Sequence, residues 1–99
     1  MNAMSLQETH AVSAKLMAGE EADAIANAAC TDNESIAIED HGSYLTISGS
    51  GRIMLSIESI EEELGRPYDV PTLLVVLASY TGQVDVEDDR VYIKEALST

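Results

Sequence analysis

Apolar and polar positions along the chain divide it into short elements. From Ile36 to Leu55 the rhythm has a period of two: Ile36 and Ile38, then Leu45 and Ile47 interleaved with Tyr44 and Thr46, then Ile53 and Leu55. Successive strand side chains point to opposite faces, so this alternation predicts three short antiparallel strands with turns at "EDHGS" and "SGSG".

A slower rhythm flanks them. "AVSAKLMAGEEADAIANAAC" is alanine-rich, but Gly19 interrupts it and Glu20, Glu21 and Asp23 follow at once. Acids favour a first helical turn, where unpaired amides present partial positive charge. The segment therefore divides into an extended piece, Ala11 to Ala18, and a helix from Glu20 to Ala29 with Ala22, Ile25, Ala26 and Ala29 inward; "TDNE" closes it. In "LSIESIEEELG", Ile57, Ile60 and Leu64 share one helical side. Ser56 or Ser59 caps that helix, Ser59 with Glu62 matching the S-x-x-E capping box, and Gly65 and Pro67 stop it.

Periodicity alone cannot assign Leu73 to Ala78 in "VPTLLVVLASYTG". A capping Asp69, Pro71 in the first turn and Gly82 beyond the end favour a helix buried on most sides. "QVDVEDDRVYIKE" reads as a hairpin, Val84 and Val86 facing Val91 and Ile93 across an acidic turn. The expected fold is α+β, with small antiparallel sheets packed with about three helices in the order β-α-β-β-β-α-α-β-β. Residues 1–10 lack any periodic pattern and read as a mobile arm, leaving one domain over residues 11–99.

Composition narrows what such a domain does. A chain of 99 residues holds one modest core, and with no Phe or Trp that core is built from Ile, Leu, Val, Ala and Met. The formal charge of -13 repels nucleic-acid phosphates and anionic lipid head groups. Neither nucleic acid nor membrane is therefore expected as a partner, and a protein surface is. One cysteine, Cys30, excludes an internal disulfide and fits a reducing cytoplasm. No apolar run approaches a membrane span and no signal-peptide pattern opens the chain, so a cytoplasmic protein, monomeric when free, is expected.

Candidate chemistry fails on spacing. "GSG" at Gly49 to Gly51 would need its third glycine at Met54 and a following helix to bind a dinucleotide; a hairpin turn is the simpler reading. Asp85, Glu87 and Asp89 begin like a calcium loop, but Arg90 stands where its glycine belongs and Ala96 where its glutamate belongs. His10 and His41 each follow an acid by two residues, not the three or four that would share a helix face. Cys30 has no C-x-x-C partner and reads as a buried or half-buried small residue. Two classes survive on the residues alone: a binding module acting on another protein, and a small enzyme with a site of generic residues.

The ordered combination "GRIML", "EEELGRP", "ASYTG" and a closing hairpin with an acidic turn, preceded by "IAIEDHGSYLTI", resembles the small effector proteins of bacterial multicomponent di-iron monooxygenases. That family serves toluene, phenol, alkene and methane hydroxylases. The resemblance covers Ile36 to Ile93, and the short arm places the chain nearer the toluene and alkene types. It implies a protein with no cofactor that docks on the hydroxylase component above the helices holding the iron, leaving oxygen activation and electron delivery to its partners. The docking residues it points to are Ser79, Tyr80, Thr81, Gly82 and Gln83, forming a corner after the apolar helix. Met54, Ser50 and Arg52 near the "SGSG" turn, and Met4 and Leu6 on the arm, are secondary candidates.

Overall fold

The computed structural model describes residues 11–95. In chain order they form β1 (Ala11–Met17), α1 (Glu20–Asp32), β2 (Ala37–Asp40), β3 (Tyr44–Ser50), β4 (Arg52–Ser56), α2 (Ile57–Leu64), α3 (Val70–Val76), β5 (Leu77–Tyr80), β6 (Gln83–Val86) and β7 (Arg90–Lys94). The expected arm, with Met4 and Leu6, lies outside the described residues, as do residues 96–99 of the expected domain.

The strands make two antiparallel sheets, one ordered β2-β3-β1-β5 and the other β4-β7-β6. The extended piece expected before Gly19 is a central strand: β1 pairs with β3 from Ala11 opposite Ser50 to Met17 opposite Tyr44, and with β5 on its other side. "SGSG" is not a hairpin turn. β3 runs on to Ser50, Gly51 turns the chain at φ 77°, and β4 leaves to pair with β7 in the second sheet. Alternation predicted the strands but carries no information about which sheet each joins, because pairing partners are set by packing far along the chain.

Both sheets turn their apolar faces onto one core. Val12, Ala14, Leu16, Leu45 and Ile47 from the first sheet and Ile53, Leu55, Val91 and Ile93 from the second are all buried. α1 fills the space between, packing on α2 and β4. Ala24 and Ala28 are buried along with Ala22, Ile25, Ala26 and Ala29, a face wider than the spacing predicted. Small side chains let the helix lie close on several sides at once. Cys30, by contrast, is exposed, so the expectation that it is buried or half-buried is wrong. α1 runs three residues past Ala29 and closes within "TDNE": the Thr31 hydroxyl donates to the Asn27 carbonyl at 3.2 Å, and Asn33 caps the helix.

α2 begins directly from β4, so Ser56, the last strand residue, is the cap. Its Oγ accepts from the Ser59 amide at 3.3 Å, and Ser59 itself caps nothing. Gly65 ends the helix at φ 74°, as expected. α3 departs from expectation most. Asp69 caps it, accepting from Thr72, and Pro71 lies in its first turn, but it stops at Val76. Leu77 to Tyr80 then pair as β5 with β1. Valine and leucine suit either state, and the open edge of β1 offers the backbone a ladder that a longer helix would leave unmade. Nor is the helix buried on most sides: Val75 is 70% exposed and Leu74 38%. The final hairpin has the expected register, Val84 opposite Ile93 and Val86 opposite Val91, although Val86 is 52% exposed.

Candidate functional site

The expected docking residues do not gather at one corner; the two sheets divide them. Because β1 alternates, its buried residues fix which face of the first sheet looks outward, and register carries that face across the strands. Ser79 stands opposite Lys15, which stands opposite Thr46, in an outward row. Thr81 continues the edge beyond β5: its amide donates to the Ser13 carbonyl at 2.9 Å and its hydroxyl accepts from the Ser13 amide at 3.0 Å. Ser50 lies opposite Ala11 and helps line a shallow hollow of about 320 Å³ with Ile36, Ala37, Ser48 and Gly49. Tyr80 is opposite Ala14, on the core side, yet on an edge strand it overhangs and stays 48% exposed.

Gln83, Met54 and Arg52 belong to the second sheet. Ile53 and Leu55 face the core, so Arg52 and Met54 face outward; Arg52 is level with Lys94 and Gln83, Met54 with Tyr92 and Asp85. Gly82 joins the two groups. At φ 92° it brings the backbone so close to the Lys94 carbonyl that a Cβ there would overlap it. Glycine is required twice over, by conformation and by space.

Two interactions that the sequence did not indicate fix this region. The Asn33 side chain, at the end of α1, holds both backbone groups of Met54, accepting from its amide at 3.0 Å and donating to its carbonyl at 2.9 Å. Arg52 lies over the Tyr92 ring with 4.9 Å from guanidinium carbon to ring centre. The alternation in "RVYIK" was the available signal for Tyr92 and Lys94, since it puts Arg90, Tyr92 and Lys94 on one polar side of a strand. Nothing local marks Asn33, whose partner lies 21 residues away.

A polar cluster at the other end of α1 is structural in its chemistry. Tyr68 donates its hydroxyl to Glu21 at 3.0 Å and its amide to Glu61 at 3.0 Å, while Arg66 pairs with Glu20 at 3.3 Å. Burial, reinforced by the bond to Glu21, pushes the Tyr68 phenol well above the usual tyrosine range. A phenol shifted that way stays protonated at neutral pH and serves as a donor, not a base. Among the described residues, no three of His, Cys, Asp and Glu come together as a metal site, and no helix is long and apolar enough to cross a membrane. What the site offers is surface: two outward sheet faces joined at a glycine hinge.

Comparison with known proteins agrees with a surface that acts on another protein. The phenol 2-monooxygenase stimulatory component DmpM of Pseudomonas sp. (strain CF600) is 31% identical over 70 residues, which are 71% of this chain and 78% of that one. A chain in the structure of a phenol hydroxylase–regulatory protein complex superimposes with a TM-score of 0.77 at 26% identity, over 85% of this chain and 97% of that one. The regulatory protein B of soluble methane monooxygenase matches with a TM-score of 0.69 at 27% identity, over 88% of this chain and 66% of that one. The family model described as MmoB/DmpM matches residues 10–94, nearly the whole of the chain, which therefore belongs to that family.

Proposed function

We propose that this protein is a non-catalytic effector that docks on the hydroxylase component of a di-iron monooxygenase in the cytoplasm and tunes the rate, coupling and regioselectivity of hydrocarbon hydroxylation or epoxidation. The observation that carries this reading is the family match along residues 10–94, whose relatives are named stimulatory or regulatory components and one of which is seen in complex with a phenol hydroxylase. The contact is proposed to draw on Ser79, Tyr80, Thr81, Gly82 and Gln83, with Ser50 on the first sheet and Arg52 and Met54 on the second.

The physical basis is linkage. An effector that binds one hydroxylase conformation better than another shifts the equilibrium by the difference in affinity, with couplings typically about 1–3 kcal/mol. A docked surface also excludes water from a channel it covers. A reversible complex of this kind needs roughly 1,600 Å² of buried surface in total. Two sheet faces built on a single core supply such a surface with little conformational cost on binding.

The test is reconstitution. Hydroxylase and reductase are assayed with and without this chain, and product is measured per NADH consumed. A rise in rate and in product per NADH is expected. An unchanged rate and ratio rejects the effector reading, and turnover by this chain alone favours an independent enzyme.

A further inference from the structure

Three of the five lysines and arginines of this acidic chain project from one surface. Arg52 on β4 and Arg90 and Lys94 on β7 alternate with the buried Ile53, Val91 and Ile93, so all three stand on the outward face of the three-stranded sheet. Tyr92 lies at their centre. The Arg52 guanidinium carbon lies over its ring, 4.9 Å from the centre, and Arg90 donates to its hydroxyl at 3.5 Å. Lys94 pairs with Asp85 at 2.6 Å, and Arg90 lies near Glu87 and Asp89, so both are offset locally. Among the described residues, no carboxylate lies within ion-pairing distance of Arg52. Met54 follows two residues along the same strand face, and Gln83 lies beyond Lys94 on β6, both uncharged.

The ring contact leaves the guanidinium able to bind more. Among the described residues no acceptor takes a hydrogen bond from its side chain, so the five N–H donors remain available in the fork that matches a carboxylate. The contact with the ring also restrains a side chain that would otherwise lose rotamer freedom on binding. We infer that this face, centred on Arg52 over Tyr92 and extended by Lys94, Met54 and Gln83, receives a carboxylate-bearing, acidic patch of the hydroxylase. Charge complementarity selects that occupant. A net charge of -13 opposes extended polyanions, while Arg52, the cation on this face that no described carboxylate pairs, accepts an acidic side chain held on a protein surface. The inference rests on the effector reading above and adds the face that docks and the chemistry it meets.

The experiment titrates hydroxylase activity with the full chain, in wild-type form and as Arg52→Glu, Arg52→Gln and Arg66→Glu. Arg66→Glu makes the same change in net charge at a site beside Glu20, away from this face. Arg52→Glu is expected to raise the half-saturating concentration by at least about tenfold and Arg52→Gln by less, with maximal stimulation and melting temperature unchanged. Added salt should weaken wild type more than Arg52→Gln. Equal effects of Arg52→Glu and Arg66→Glu, or none from Arg52→Glu, overturn the inference and leave the effector reading standing. So does sedimentation showing wild-type self-association that Arg52→Glu abolishes, because the occupant is then the acidic hairpin turn of a second copy. Failure of the wild-type chain to stimulate at all overturns the effector reading, and this inference with it.

Discussion

Asn33 grips Met54 by both backbone groups, so a side chain at the end of α1 completes the outer edge of β4 as a neighbouring strand would. The same amide also donates to the Ala29 carbonyl at 2.9 Å, capping its own helix. One residue thus joins the central helix to the second sheet. Asn33→Ala leaves a part-buried amide and carbonyl without these partners, which costs about 2 kcal/mol, or a melting temperature lower by roughly 10 °C. Urea unfolding should show the midpoint falling with its slope unchanged; an unaltered midpoint would mean that water replaces the clamp without loss.

Gly42 and Gly82 separate conformation from crowding. Their φ values are nearly equal, 89° and 92°, but a Cβ on Gly42 meets nothing within 4 Å and one on Gly82 overlaps the Lys94 backbone. Gly42→Ala should therefore cost only the strain of the backbone, about 1 kcal/mol. Gly82→Ala adds displacement of β7, for a total of about 3 kcal/mol. Calorimetry on the two variants reads the difference, and equal losses would show that the hairpin yields freely at Lys94.

How much of this was legible in the sequence depends on the range of the interaction. Period-two alternation located β2, β3, β4 and the final hairpin with its register, and Asp69, Gly65 and the acids after Gly19 marked helix ends, because each signal acts within a few residues. The exposure of Cys30 and the extra turn of α1 are local departures; the larger failures involve distant partners. Leu77 to Tyr80 became a strand because β1, more than 60 residues earlier, presents an open edge. The same long-range pairing turned the supposed corner at Ser79 and Tyr80 into a sheet edge and sent Arg52 and Met54 to a different sheet from Ser79. Of the described candidates, Ser50, Arg52 and residues 79–83 are exposed and Met54 is half-buried, but their separation onto two faces follows from topology, which no local pattern encodes.

Tyr68 should govern alkaline stability. Its phenol holds its proton more tightly in the folded chain than the ordinary tyrosine value of about 10, through burial first and then the bond to Glu21. The unfolded chain therefore loses that proton at lower pH than the folded one, so the stability is intact below pH 10 and is lost as pH rises from there through the raised folded value. Tyr68→Phe removes the bond and lowers stability at neutral pH, yet flattens the decline above pH 10. Chemical denaturation at pH 7, 9, 10 and 11 checks this; parallel curves for the two proteins would show that the Glu21 contact does not persist in solution.

Tyr80 offers a test of docking that stability does not confound. Tyr80 is 48% exposed on an edge strand, and its backbone rather than its side chain joins β5 to β1. Truncation removes the buried half of the residue, so Tyr80→Ala should lower the melting temperature by at most about 10 °C, equivalent to no more than about 2 kcal/mol. Exposed tyrosines that seat in a partner are frequent binding hot spots, where truncation costs about 2 kcal/mol or more. If Tyr80 contacts the hydroxylase, half-saturation should require roughly 30-fold more of the Tyr80→Ala protein, while maximal stimulation is retained. A large loss of stability with unchanged half-saturation would instead make Tyr80 a packing residue and move the proposed contact off this edge.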